Sequence, residues 1–180
     1  VAQLLRGSEL SDRYGELAAK VDAFHERVEA RHPGAMTCRA GCSQCCHQHL
    51  SVVPLEFRRV AEAVLTLPDD ARSALRERVQ AGRDDPRCPL LDDTGQCRVY
   101  AARPLICRSH GLPIQVDGRR DVCPLNFTAG PAVGDLAPEV VFSVDSANAI
   151  LGVMSQLAGD DPIARVDLID GLKSLLETGA

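Results

Sequence analysis

The sequence predicts a mainly α-helical fold: a small helical domain with an irregular cysteine-rich centre and at most a short β hairpin. Three observations carry that expectation. Apolar residues recur at helical spacing on both flanks, from Leu10 to Val28 and again from Val140 to Leu176. All eight cysteines fall between Cys38 and Cys123. The stretch holding the last four has no periodic core pattern of its own.

A chain of 180 residues is expected to form one domain. Its parts are an N-terminal helix over 1–33, a cysteine-rich region over 38–127 and C-terminal helices over 136–178. The apolar fraction of 45% suffices for a core, so the cysteines are not needed merely to rescue a tiny fold. With no Trp, two Tyr and four Phe, that core is aliphatic. A net charge of −5 argues against a general nucleic-acid surface. The arginines between Arg72 and Arg87 alternate with acids and read as a solvated helix face. No apolar run is long enough to span a bilayer, so neither nucleic acid nor membrane is expected as a partner.

Along the N-terminal segment, Leu10, Tyr14, Leu17, Val21, Phe24 and Val28 form one stripe. Ser8 or Ser11 is the expected cap, and Pro33-Gly34 the stop. His25 and His32 read as surface residues. After the first cysteines, Pro54 opens a second helix with Leu55, Val60, Ala63 and Val64 inward. Pro68-Asp69-Asp70 breaks and recaps the chain. A third helix then covers Ala71 to Ala81, with Leu75 and Val79 inward, and Gly82 closes it. Asp92-Asp93-Thr94-Gly95 is a turn signal, Cys97–Tyr100 reads as a short strand and Pro104–Cys107 as one helical turn. Ile114–Val116 followed by Asp117-Gly118 predicts a hairpin edge. Pro138-Glu139 is expected to start a well-buried helix through Leu157. Asp161-Pro162 is expected to cap a last helix with Ile163, Val166, Ile169, Leu172 and Leu176 inside.

Cys38, Cys42, Cys45 and Cys46 lie within nine residues; Cys88, Cys97, Cys107 and Cys123 follow. Sulfurs spaced two and three residues apart can converge on one point without a core to hold them, as a soft metal or an iron–sulfur cluster demands. Four disulfides are the alternative. The cysteines are bunched rather than spread, the chain shows no signal peptide, and a vicinal pair is awkward in a disulfide framework. Metal ligation by all eight, in a reducing cytoplasm, is the expectation; the bound metal would staple the pattern-poor centre.

Eight thiols allow one four-ligand centre with spares, or two centres. Side chains of adjacent residues diverge in a helix or strand, so Cys45 and Cys46 are not expected to share a single ion comfortably. This favours a larger cluster, with [4Fe–4S] the expected type, or Cys46 serving a second site; zinc is the alternative. Arg39, Arg87, Arg98 and Arg108 each flank a cysteine, and either offset thiolate charge or point to water. Cys88-Pro89 and Cys123-Pro124 match the Cys-Pro ending of ferredoxin-type ligand runs. His110 is the leading non-cysteine ligand candidate, or else a hydrogen-bonding neighbour of a sulfur; His47 and His49 read as solvent-facing. Cys38-x3-Cys42-x2-Cys45 also fits the spacing of radical S-adenosylmethionine enzymes, but the chain lacks their strand–helix alternation.

The array Cys38…Cys42-Ser-Gln-Cys45-Cys46, then Val53-Pro-Leu-Glu56, then Cys88-Pro-Leu-Leu…Gly95-Gln-Cys97-Arg-Val-Tyr100-Ala-Ala-Arg103-Pro104-Leu-Ile-Cys107-Arg108, then Cys123-Pro-Leu-Asn126, resembles the YkgJ-like cysteine-cluster family with its CxxCxxCC motif. Ser43-Gln44 departs from it where many members carry a glycine before the double cysteine. The resemblance covers roughly Cys38 to Phe127 and implies zinc or iron chelation by these cysteines. It also implies a structural role for Arg103 in the metal loop. Some similar proteins are described as iron–sulfur oxidoreductases, and a flagellin lysine methylase looks similar in its cysteine motif. Three functions follow as expectations: an iron–sulfur protein with a redox or electron-transfer role toward a protein partner, a zinc module that binds a partner, or a metal-dependent enzyme modifying proteins or peptides.

Overall fold

A computed structural model describes residues 7–39 and 41–178. It is mainly α, with six helices and small sheets of a few short strands among the described residues. The chain gathers into two compact units, each discontinuous in sequence. One holds the described residues up to Arg39 together with Leu105–Pro162; the other holds the rest of the stretch to Pro104 together with residues from Ile163 onward.

In the first unit, helix α1 spans Gly7–Arg31 and buries Leu10, Tyr14, Val21 and Val28, as the stripe requires. Ser8 and Ser11 lie inside this helix rather than capping it. Gly34, at φ 75°, follows its end, and its N–H donates to Glu29 Oε1 at 3.1 Å. Helix α4, Leu105–Ser109, packs on α1. There the buried guanidinium of Arg108 pairs with Asp22. The predicted hairpin forms. Strand β2 (Ile114–Val116) pairs antiparallel with β3 (Arg119–Asp121), and Asp117 and Gly118 both take positive φ, as a primed two-residue turn requires.

Two expectations fail in this unit. The segment after Pro138 makes only a 3-10 turn, then a strand, β4 (Phe142–Ser143), laid parallel to β2. Tertiary pairing of Phe142 with Ile114 thus holds back the start of helix α5, which runs Val144–Leu157. Its cap is Ser143, whose side chain accepts from Ser146 N–H at 3.2 Å. The helix is not well buried all round: Ala147, Leu151, Met154 and Ser155 face inward, whereas Ile150 and Val153 are exposed.

The second unit is built on helices α2 (Pro54–Leu65) and α3 (Asp69–Ala81) and the last helix, α6 (Leu168–Thr178). Val60, Val64, Leu75, Val79, Leu90, Val99, Leu172 and Leu176 form its core. Pro54 sits in the first turn of α2, and Gly82 caps α3 at φ 65°. A two-stranded ladder forms here that no local sequence signal marks. Strand β1 (Ser51–Val52) pairs antiparallel with β5 (Val166–Asp167), and Leu168 N–H then donates to Leu50 O at 3.0 Å. Hence α6 begins six residues after Pro162, and Ile163, expected inside, is 80% exposed.

The cap of α6 is Asp167, whose Oδ1 accepts from the N–H groups of Ile169 (2.9 Å) and Asp170 (3.2 Å). Burial alone would raise its pKa. The Asp170 amide, Arg83 and the Ile169 amide outweigh that and hold the carboxyl below its ordinary value. Asp167→Ala is expected to cost about 1 kcal/mol, read as a lower urea midpoint. A depressed folded-state pKa contributes stability that is complete above the ordinary value of 3.8 and is lost as pH falls below it. The midpoint gap between wild type and Asp167→Asn should therefore shrink on acidification through that range.

Gly171 of α6 supplies a second prediction. A Cβ there would lie 2.6 Å from Phe57 Cε2 and 2.7 Å from Val166 Cγ1. Gly171→Ala gains about 1 kcal/mol of helix propensity but overpacks the contact with Phe57 at a cost of about 1–3 kcal/mol. A net loss is expected in urea titration, against the usual effect of this exchange in a helix.

Candidate metal centre

The second unit brings four thiols together from three segments. Cys45 and Cys46 lie on a 3-10 turn, Gln44–Cys46, closed by Cys46 N–H donating to Ser43 O at 2.8 Å. Cys88 is fastened to that turn, its N–H donating to Cys46 O at 2.6 Å. Cys97 pairs across an isolated bridge with Leu91; the strand expected over Cys97–Tyr100 is only that bridge, followed by a 3-10 turn at Tyr100–Ala102. The loop between them is tied down by Asp92, whose Oδ1 accepts from Thr94 N–H, Thr94 Oγ1 and Gln96 N–H at 2.8–2.9 Å. Cys88 and Cys97 both back onto the core of this unit.

These sulfurs act on one another. The Cys46 thiol hydrogen-bonds Cys45 and, with burial and its own charge, pushes the Cys45 pKa up. Vicinal side chains were expected to diverge. Here the two thiols instead meet in a hydrogen bond on a short turn. Burial pushes Cys88 up to about 11, aided by the nearby Cys97 and Cys45. Cys97 is raised by burial, and opposed by the Val99 amide and the charge of Arg103. Arg103 is fixed by its guanidinium lying 4.0 Å over the Tyr100 ring and by donation to Tyr100 O at 3.2 Å. Cys42 lies in the same unit, after Gly41 at φ 88°.

The other three cysteines belong to the first unit. Cys107 is on α4 and Cys123 precedes a turn in which Asn126 N–H donates to Cys123 O at 2.8 Å. Cys38 Sγ accepts from Asn126 Nδ2 at 3.3 Å. His110 follows α4, half-buried, and burial lowers its pKa so that the ring is neutral near pH 7. His49 is not solvent-facing: its Nε2 lies 2.9 Å from Asp85 O.

None of the eight cysteines is in a disulfide. Among the described residues, no three His, Cys, Asp or Glu side chains already surround a metal position. Metal binding by these thiols requires their deprotonation. As donors, Cys45 in contact with Cys46, Cys88 and Cys97 within electrostatic reach of Cys45, and Arg103 acting on Cys97 suit a thiophilic metal or cluster. The flanking arginines mostly serve elsewhere. Arg108 is committed to Asp22, and Arg87 grips Asp85 in a bidentate pair at 2.7–3.0 Å that holds the Asp85 carboxyl down to about 2. Arg98 Nε is buried without an acceptor among the described residues.

Sequence reasoning passed over Asn126 and Gly111 as functional residues. Asn126 stood in the quoted Cys123-Pro-Leu-Asn126 block, an amide three residues after a cysteine.

Fold and thiols together describe a mainly helical protein with clustered cysteines. Residues 37–124 match the model of the CxxCxxCC family, described as "Putative zinc- or iron-chelating domain". That match supports metal binding by this stretch of the chain. Neither a curated protein nor a solved structure matches the chain. No helix among the described residues is long and apolar enough to cross a membrane.

Proposed function

We propose that Cys45, Cys46, Cys88 and Cys97 ligate an iron–sulfur cluster with a redox or electron-transfer role toward a protein partner, and that Cys38, Cys42, Cys107 and Cys123 serve as further metal ligands. The observation that carries this reading is the mutual contact of Cys45 and Cys46 beside Cys88 and Cys97. A single zinc ion would have to fit both vicinal sulfurs into one tetrahedron. A cluster offers several irons, so neighbouring sulfurs can bind different ones. Cys45, Cys46, Cys88 and Cys97 would hold it, and the cluster would supply one-electron chemistry. Arg103 would offset the charge of the thiolates, and the core behind Cys88 and Cys97 would exclude water from them. Free thiols in this number suit a reducing compartment such as the cytoplasm.

Anaerobic purification followed by iron, sulfide and zinc analysis with visible and EPR spectra tests this. Brown protein with equal iron and sulfide is the expected result. Colourless protein holding stoichiometric zinc would overturn it and leave the zinc-module reading in its place.

A further inference from the structure

The sulfur of Cys38, in the first unit, sits in a cradle of its own. Asn126 is 2% exposed, and its carboxamide is fully engaged. Its Oδ1 accepts from Thr37 N–H at 2.8 Å and from Thr37 Oγ1 at 2.9 Å; its Nδ2 donates to Gly111 O at 2.7 Å and to Cys38 Sγ at 3.3 Å. This network fixes which end of the amide is which. Turned over, it would set N–H against the Thr37 N–H and oxygen against the Gly111 carbonyl. The third wall is Gly111, at φ 94°, where a Cβ would lie 2.3 Å from Cys38 Sγ and 3.0 Å from Asn126 Nδ2. Backbone has therefore been cleared to admit a sulfur, and a buried N–H points at that sulfur.

We propose that Asn126 is a positioning residue for Cys38 as a metal ligand, aiming an amide N–H at its sulfur while Gly111 leaves room for it. This rests on the reading that Cys38 binds metal. A buried hydrogen bond costs most when its partner turns repulsive. Donors to ligand sulfurs tune both affinity and electronic structure of the centre. Asn126→Asp keeps the shape and the acceptor toward Thr37 but replaces the N–H with an oxygen facing a thiolate. Thr37→Val removes one of the two donors that orient the amide.

The test loads wild type, Cys38→Ser, Asn126→Asp and Thr37→Val with Co²⁺ anaerobically under reducing conditions. Cobalt affinity and the thiolate-to-cobalt charge-transfer band are read, alongside melting of each protein in chelator. Cys38→Ser is expected to lose part of the band. Asn126→Asp should weaken cobalt binding about 10–100-fold, the range for residues that orient a ligand, and should shift or diminish the band. Thr37→Val should do the same more weakly, with a melt in chelator close to wild type. An unchanged band in Cys38→Ser overturns the ligand reading itself. A reduced band in Cys38→Ser with wild-type affinity and band in Asn126→Asp overturns the positioning role alone. If Asn126→Asp does not fold, wild-type cobalt binding by Thr37→Val overturns that role.

Discussion

Cys88→Ser protein is expected to lose its bound metal. Cys88 is tethered through its own N–H to Cys46 O and feels both Cys45 and Cys97, so its sulfur is the one that links the first cysteine block to the second. Serine preserves size but offers a poor donor to a soft metal. Residues that merely orient ligands cost 10–100-fold in affinity when changed. Loss of a ligand should exceed about 100-fold, or ~2.8 kcal/mol. Structural zinc contributes an apparent ~10–16 kcal/mol to finger peptides, so the variant should also melt far below metal-loaded wild type. In chelator the two should converge to within about 1 kcal/mol, because a thiol and a hydroxyl differ little in volume against that core. Metal content equal to wild type after gel filtration would remove Cys88 from the ligand set.

Gly111→Ala is expected to be the most damaging single methyl addition in the first unit. Left-handed backbone costs a residue with a Cβ about 1–2 kcal/mol, and forcing a methyl against the Cys38 sulfur adds about 1–3 kcal/mol of overpacking. The sum, about 2–5 kcal/mol, should appear as a lower urea midpoint. Gly118→Ala is the control. Gly118 has φ 74° with nothing within 4 Å of its absent Cβ, so it pays the backbone strain alone. Equal midpoints for the two variants would show that the close approach at Gly111 carries no energy.

Local chemistry made much of this fold legible. Pro33-Gly34 marked the end of α1, Pro54 the start of α2, and Asp117-Gly118 the hairpin. Each is a signal that acts over a few residues. What escaped was set by distant partners. Phe142 becomes strand because Ile114 lies beside it, and Val166 because Val52 does. Neither two-residue pairing leaves a periodic trace. Ile163 looked internal by spacing, yet the helix it was counted into starts only at Leu168. For the site, cysteine spacing located every thiol but said nothing of how Cys45 meets Cys46 on a short turn. The amide of Asn126 was invisible for another reason: its partners, Thr37 and Gly111, are remote in sequence.

The short ladder of β1 with β5 has a consequence for biogenesis. A ribosome delivers Cys45, Cys46, Cys88 and Cys97 well before it makes Leu172 and Leu176, which complete the core behind them. Until those last residues emerge, the nascent polypeptide carries its reactive sulfurs without the helix that closes their support. Stable metal loading is therefore expected only once Leu172 and Leu176 have been made.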